Sequence, residues 1–527
     1  SYDLSSALSM YYTMAVNNQQ MNEIMAELEL TKELVRTRKV VKLKAGMPVI
    51  DSVTDAQVTT EGVQSNAYNR LVDYMNMTFY GERKKRSADV MTMAGKKVTT
   101  DKVMDGFLSY NSLRVLALNP HAGYVNVAFG NLMNSFEAYA GQYFGKKNFI
   151  KSKAFYWGGL SGILKDTIGR VPTSKIGLMN EYYNVLQHFD EFGNRIKHKS
   201  LAMRGMHTGA FFFMMTMGEH MLQTQLFISM ALEKKFKLAN GKTINLWDAT
   251  KVENDKLTLH DEVAEQFNET DRAIFKERVQ GVYQRLHGIY NMKDRNAIQQ
   301  YAAGRWVMQL RKWMPSGFQR RFEGIEKLWY DKKSEFAGAE WNERLQSYVE
   351  GNYITMLRFM NQLKWDIAKL KIYTIKEKWN ELDTWQQQNV KRTIGEIAGF
   401  FVLIALSGLV RSGDEDEEKG YVYYQSLYTL HRMKQELLFF SWVPETFNVL
   451  KAPAASITSL EVLVDLVGQL LEDTGSIVMG QDLERYKRKT GMWDKGDPKI
   501  WSKLYKTLPL TQLTKKAKDK LSWFHLN

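Results

Sequence analysis

Apolar residues recur every three or four positions along most of this chain, which is the spacing of amphipathic helices. In the first stretch, the apolar positions with this spacing are Met21, Ile24, Met25 and Leu28. Acidic residues precede basic ones there, an order that suits the helix dipole. The pattern predicts a long N-terminal helix over residues 1–47, ended by Gly46 and Pro48.

The periodicity weakens after this helix and returns near Asp101. Residues 48–100 are rich in Gln, Thr, Ser and Asn, and we predict a linker with short helices that carries a basic knot. Residues 101–235 form a predicted helical domain. Its last part, 201–235, is rich in Met and Phe but is interrupted by polar residues, which favours a buried helix over a membrane-spanning one.

One segment carries the signature of a β-hairpin. The dipeptide Asn240-Gly241 lies between two short β-prone runs and suits a type I′ turn, because both central residues of that turn need positive φ. We therefore predict a small β-hairpin near residues 236–246, within a hairpin-and-connection segment over 236–262. Helical spacing resumes over 263–393, which forms a second predicted helical domain.

Apolar helices are predicted over 394–480. The most apolar run, Ile397–Val410, is uncharged, and at ~1.5 Å per residue it is about 21 Å long, shorter than the ~30 Å hydrocarbon core of a membrane. This length favours a buried core helix, and a membrane helix stays open as the alternative. The candidate residues for helix packing or membrane contact are Gly395, Gly399, Phe400, Phe401 and Leu403. A second apolar helix over 456–479 has on one face Leu460, Leu463, Val464, Val467, Leu470 and Leu471.

Composition limits the chemistry. The 527-residue chain contains no cysteine, which excludes disulfides, thiolate metal sites and a cysteine nucleophile. Lys and Arg exceed Asp and Glu by 72 − 58 = 14, a positive excess that suits a polyanion or an anionic membrane surface. The C-terminal segment 481–527 is strongly basic. The chain begins at Ser1 without the features of a secretory signal, so we expect a processed product or a part of a longer protein.

Motifs of catalysis are not found. The sequence contains no P-loop, no G-x-G-x-x-G after a strand and no G-x-S-x-G. Glu219-His220 lies on an apolar helix, and without a second pair of ligands a packed, hydrogen-bonded histidine is favoured over a metal ligand. The acidic run 414–418 is flanked by glycines, which favours a charged loop over a two-metal site. We therefore predict a protein that is not an enzyme and has no cofactor and no metal.

Basic clusters are the better candidates for binding. Arg311 and Lys312 precede Trp313, and arginine beside tryptophan can hold a phosphate while the ring stacks on a base. The alternative is a helical turn whose tryptophans lie in the core and whose arginines are solvated. The candidate residues for contact with DNA or another polyanion are Arg83, Lys84, Lys85, Arg86, Arg311, Lys312, Arg320, Arg321, Lys515 and Lys516.

Several segments, taken together and in order, resemble a known family. They are Leu116–Pro120, Leu246–Ala249, Arg285–Asn291, Gly304-Arg305, Arg311–Pro315, Arg320–Phe322 and Pro498–Leu510. This series resembles the large helical internal virion proteins of tailed phages, and among them the cargo or ejection proteins of crAss-like phages of gut Bacteroidetes. Members of that family are often encoded in very long polyproteins beside a virion RNA polymerase.

The periodicity predicts an all-α, elongated multi-helix protein with one small β-hairpin. The resemblance implies a virion protein, stored in the portal or tail lumen or in the capsid interior and ejected with the genome into the host. The implied partners are other virion proteins (portal, tail or ring proteins) and further copies of the chain in a ring, with DNA contact and transient membrane contact as additional expectations. The alternatives are a membrane-active component of an ejection channel and a non-catalytic accessory of the virion RNA polymerase.

Overall fold

The structure is a computed structural model of the chain. It describes residues 19, 25–41, 43–44, 47–48, 59–61, 68–69, 71–72, 75–76, 89–93, 96–116, 120–169, 172–186, 213–289, 297–325, 340–368, 373–411, 421–440, 457–488 and 493–507. The chain divides into two compact units, which comprise residues 1–101 with 291–305 and residues 102–290 with 306–527. These units cut across the seven predicted segments, whose boundaries stay predictions.

The first unit contains more strand than the sequence predicts. Helix α1 covers residues 25–37 and ends nine residues before Gly46. The strands are β1 (Lys39–Val41), β2 (Leu43–Lys44), β3 (Met47–Pro48), β4 (Thr59–Glu61), β5 (Asp89–Met93) and β6 (Lys96–Thr99). They pair antiparallel as β1 with β4, β2 with β3 and β5 with β6. The predicted long helix is therefore wrong for residues 39–41, 43–44 and 47–48, because β-branched residues such as Val40 and Val41 favour extended backbone over helix. The linker has helical residues at 68–69, 71–72 and 75–76, and it also contains the unpredicted strands β4, β5 and β6.

The second unit is built almost entirely of helices, which confirms the predicted mostly helical fold. Its helices are α2 (Thr100–Leu116, which begins at the unit boundary), α3 (Pro120–Ala140), α4 (Lys146–Gly158), α5 (Leu160–Gly169), α6 (Lys175–Tyr182), α7 (Phe213–Glu233), α8 (Leu246–Ala249), α9 (Asp261–Gln266), α10 (Glu269–His287), α11 (Ala302–Met308, across the boundary), α12 (Trp313–Phe322), α13 (Asn352–Ala368), α14 (Tyr373–Glu381), α15 (Thr384–Arg411), α16 (Tyr421–Leu438), α17 (Ile457–Val478) and α18 (Lys499–Thr507).

The main core surrounds α7, which packs against α3, α4 and α10. Leu226, Phe227 and Ile228 are completely buried. Several polar residues of this helix are buried as well: the Ser229 hydroxyl donates to the Gln225 carbonyl at 2.6 Å, and its oxygen lies 2.9 Å from Ser152 Oγ. The predicted buried helix is therefore confirmed, and Ser229 is among its polar residues that find partners within the protein.

The predicted hairpin forms as β7 (Lys235–Lys237) paired with β8 (Thr243–Asn245). Its turn is longer than predicted. Leu238 and Lys242 close a three-residue loop in which Gly241 has φ +78° and Asn240 is not in the left-handed region. The type I′ prediction is therefore wrong, and the loop follows the three-residue pattern that ends on a left-handed glycine.

Two further hairpins in this unit were not predicted. They are β9 (Thr250–Glu253) with β10 (Lys256–Leu259), and β11 (Glu340–Asn342) with β12 (Ser347–Val349). The first is closed by Asn254 and Asp255, which both have positive φ. This second Asn-containing turn therefore has the φ signs of the type I′ geometry predicted at Asn240.

Candidate functional site

Helix α15 combines two unlike halves. Its first half carries polar and charged side chains that are buried, among them Asn389, Arg392 and Glu396. Its second half, residues 397–410, is called here the distal segment and contains no charged residue. The helix packs against α3, α13 and α16. The first half fixes the helix in the protein, and the second half gives the helix an exposed apolar surface.

The first half is held by the buried ion cluster, defined as Glu137, Arg320, Arg321, Arg392 and Glu396. Arg320 Nη2 lies 3.1 Å from Glu396 Oε1, and Arg321 Nε lies 3.0 Å from Glu396 Oε2. Arg392 grips Glu137 with two hydrogen bonds of 2.9 and 2.7 Å. All five side chains are at most 5% exposed. The cluster thereby ties α15 to α3 and α12.

Because the cluster is buried, each of its charges needs a partner within the protein. The Arg320 guanidinium has a pKa lowered to about 10, first because burial penalises its charge and next because Arg321 lies beside it. The Tyr353 hydroxyl donates to Glu396 Oε2 at 3.0 Å and completes the set of donors to that carboxylate. Removing one member of such a group leaves an uncompensated buried charge, which costs about 3–5 kcal/mol. The cluster therefore demands that α15 keep its position.

Two glycines allow α15 to approach α3 closely. A Cβ added at Gly399 would lie 2.4 Å from Phe136 Cζ, and one added at Gly395 would lie 3.3 Å from Tyr139 Cδ1. Leu403 is buried in the same contact, and Phe400 packs against it. The structure therefore places Gly395, Gly399, Phe400 and Leu403 in a helix-packing interface.

The distal segment is exposed over most of its surface. Phe401 is 62% exposed and Val402 is 56% exposed. In the apolar window of α15 that is long enough to cross a membrane, only 17% of the residues are buried, and among the described helices α15 is the one with such a window. The predicted buried core helix is therefore wrong at this segment. Its neighbours α3 and α16 cover one side of it and leave the other side open.

The predicted polyanion residues are placed very differently from a binding surface. Arg320 and Arg321 are spent on Glu396 in the interior, so the predicted polyanion contact is wrong for this pair. Lys312 is buried. Arg311 is half-buried, and burial together with Arg432 lowers its pKa.

The other predicted polyanion residues lie outside the described residues. They are Arg83, Lys84, Lys85, Arg86, Lys515 and Lys516. The alternative for the Arg–Trp cluster, with solvated arginines, is also wrong for Arg320 and Arg321. The ion cluster could have been predicted from Glu137 and Glu396. Each is a carboxylate inside an apolar helix, and such a group needs a buried cation as its partner.

The histidine next to Glu219 is a packed one, as predicted. Its Nδ1 lies 3.0 Å from the Tyr156 hydroxyl, and burial lowers its pKa to about 4. Glu219 accepts from Tyr283 and from Asn126, and burial raises its pKa. Within the described ranges, no three His, Asp or Glu residues converge on a place for a metal ion.

One cavity of about 430 Å³ lies among α4, α5, α6 and α8. Phe155 and Trp247 stack on its wall. Lys175 reaches the same wall, but its ammonium already donates to the Trp247 carbonyl at 2.7 Å. Asp166 accepts from the backbone N–H groups of Thr173 and Ser174 beside the cavity. These charged groups are therefore engaged with the protein itself.

Among the described residues, most of the apolar surface of the distal segment is therefore left uncovered. No protein-family model matches the chain, and no match was found among curated proteins or solved structures.

Proposed function

We propose that this chain is an internal virion protein of a tailed phage, stored in the portal or tail lumen or in the capsid and delivered with the genome, and that its distal segment contacts the host membrane during delivery. The resemblance in the sequence supports the virion role. The observation that carries the membrane contact is the exposure of an uncharged apolar segment on a helix whose other half is fixed in the protein.

An exposed apolar segment of this kind is costly in water. Burial of apolar surface is worth roughly 25 cal/mol per Å², and contiguous exposed patches mark sites for proteins or membranes. The distal segment contributes Phe401, Val402, Ile404 and Leu406 to one such patch. In storage, neighbouring virion proteins would cover the patch, and after delivery a lipid surface would.

The depth of the proposed insertion follows from the charge pattern. The distal segment is about 21 Å long, less than the ~30 Å hydrocarbon core. A full span would have to take in Glu396 and break its pairs with Arg320 and Arg321. We therefore propose that the segment enters one side of the bilayer, while the ion cluster stays at or above the surface.

Vesicle flotation tests the membrane contact. The purified chain is mixed with vesicles of phosphatidylethanolamine and phosphatidylglycerol and centrifuged through a gradient. We expect the wild type to float and a Phe401→Glu, Val402→Glu variant to lose at least tenfold in bound fraction. Leu357→Glu, Met360→Glu is the matched control, because Leu357 and Met360 are also exposed but lie on α13; it should float like the wild type. Equal flotation of all three proteins would refute the contact.

Imaging of the intact particle tests the virion role separately. Cryo-electron microscopy before and after genome release should show density for this chain in the portal, tail lumen or capsid interior that disappears on release. Density that persists in the shell would refute delivery.

A membrane-active channel component is the second candidate function, because the same exposed segment supports it. Release of an encapsulated dye from the vesicles by the wild type, but not by the Phe401→Glu, Val402→Glu variant, would favour this candidate over simple contact.

A further inference from the structure

The most buried residues of helix α17 are polar. Ser459, Gln469 and Asp473 are buried, whereas Val462, Leu463 and Leu466 beside them are half-buried. Arg114 Nη1 donates to Ser459 Oγ at 2.7 Å, and Ser459 donates in turn to Asn111. Gln469 donates to Asp473 at 3.0 Å. A second row of apolar residues on this helix is left exposed by the described residues.

The outward face has a regular spacing, and we call it the α17 seam. Its six positions, separated by 4, 3, 4, 3 and 4 residues, are Leu460, Val464, Val467, Leu471, Thr474 and Val478. All six are exposed, Val464 at 62% and Val478 at 81%. An apolar repeat of 3.5 residues is the pattern by which one helix packs against another along its length.

The two flanks of the seam differ in size. On one side lie Gly468 and Gly475, seven residues apart, and no heavy atom of the described residues lies within 4 Å of a Cβ built on either. On the other side lie Leu470 and Ile477, which are exposed. Small residues on one flank let a second backbone approach closely.

The occupant of this face is a helix rather than lipid. Four carboxylates lie on α17, at Glu461, Asp465, Glu472 and Asp473, and the helix carries no basic residue. Within the described helices, the combination of length, low charge and hydropathy that suits a membrane span occurs in α15 and not in α17. Binding to a lipid surface also requires neither a 3.5-residue repeat nor the two glycines on one flank of the seam.

The α17 seam is complementary to itself when two copies run antiparallel. The layers then pair Val464 with Thr474 of the second copy, Val467 with Leu471, and Leu460 with Val478. Gly468 meets Gly468 of the second copy at the two-fold axis. Glu461, the charged residue that flanks the seam, lies opposite Gly475. A parallel pair would instead set Glu461 level with its own copy.

We propose that two copies of this chain pair antiparallel through α17. The pairing forms an isologous contact, in which the same surface serves both partners. Antiparallel alignment also opposes the helix dipoles of the two helices favourably. This inference stands independently of the proposed virion role and of the membrane contact of α15.

Molar mass in solution gives the first test. By size-exclusion chromatography with light scattering, we expect the wild-type chain to show twice its 61.1 kDa mass. A Val464→Glu, Leu471→Glu variant should be monomeric at the same concentration, with a dimer fraction at least tenfold lower. The Phe401→Glu, Val402→Glu variant carries the same charges on α15 and should stay dimeric. A monomeric wild type would overturn the proposal.

Cysteine cross-linking tests the orientation, since the natural chain has no cysteine to interfere. Under mild oxidation, Gly468→Cys should form a covalent dimer with itself. Gly475→Cys alone should not, but Gly475→Cys mixed with Glu461→Cys should cross-link. Self-linking of Gly475→Cys would overturn the antiparallel arrangement. If the wild type is monomeric and the Val464→Glu, Leu471→Glu variant no longer floats with vesicles, the α17 seam contacts lipid instead of a second copy.

Discussion

Helices α7 and α15 are both strongly apolar, yet the fold treats them in opposite ways. Leu226 and Phe227 at the centre of α7 are completely buried, whereas Phe401 and Val402 in α15 stand more than half exposed. Helix α7 is surrounded by α3, α4 and α10, but α15 has neighbours on one side of its distal segment. An apolar helix is thus more stable when it is shielded from water, and the number of neighbouring helices decides how far it is shielded.

The polar residues of the two helices separate them as well. In α7, polar side chains such as Thr224 and Ser229 are spread through the helix and find partners inside the core. In α15, the buried polar and charged side chains are confined to the first half. A helix that must be enclosed needs internal partners along its whole length, and a helix fixed at one end does not.

The largest expected effect contrasts the two helices directly. Phe227→Ala should lower the free energy of unfolding by about 3–5 kcal/mol, because it opens a cavity in a closed core. Phe401→Ala should change it by less than about 0.5 kcal/mol, because its ring already faces solvent. Urea unfolding followed by circular dichroism measures both. A similar loss in the two variants would mean that the distal segment is covered in solution.

A loss of comparable size should follow from breaking the ion cluster. Glu396→Ala leaves Arg320 and Arg321 buried without their carboxylate, which costs about 3–5 kcal/mol. Glu381→Ala is the matched control, since it removes a carboxylate from an exposed pair with Lys378 and should cost below about 1 kcal/mol. Equal losses in urea titrations would show that the cluster does not fix α15.

Low pH should destabilise the core around α7. Burial lowers the pKa of His220 to about 4 from an ordinary 6.5, so the folded chain refuses a proton that the unfolded chain accepts. Stability from this residue is complete above about pH 6.5 and falls as the pH drops towards 4, by up to ~3 kcal/mol. Urea midpoints at pH 7 and pH 4.5 should therefore differ less in His220→Gln than in the wild type. His260→Gln, at an exposed position, should keep the wild-type difference.

A smaller effect distinguishes the two sides of α15 itself. Gly399→Ala should destabilise the protein by about 1–3 kcal/mol, because the added Cβ would overlap the Phe136 ring. Gly408→Ala meets no described atom within 4 Å and should stabilise the helix by about 0.5–1 kcal/mol. Thermal unfolding of the two variants should shift in opposite directions. Shifts of the same sign would contradict the one-sided packing of α15.

Local patterns predicted the helices well and long-range pairing poorly. The start of α2 near residue 101, the buried α7 and the hairpin after it follow from periodicity and a single turn dipeptide. The turn type was wrong because one additional residue in the loop changes which position must be left-handed. Strands β1 to β6 were missed because segments of two to five residues are too short to show alternation.

The candidate site was harder to predict because its partners are distant in sequence. Arg320 and Arg321 belong to a basic motif in the sequence, but their carboxylate lies 76 and 75 residues further on, at Glu396. The distal segment was assigned to the core by its length alone, since the sequence does not tell how many helices surround it. The most buried positions of α17 are Ser459, Gln469 and Asp473, so its apolar stripe predicts a helix but not the direction that the stripe faces.

The buried ion cluster also sets an angle. Glu396 is bonded from two directions by Arg320 and Arg321 and from a third by Tyr353, so α15 cannot turn about its own axis without breaking these bonds. The open side of the distal segment therefore points in one fixed direction relative to α3 and α12. A lipid or protein surface that binds this open side would therefore bind the helices around α15 in a single orientation.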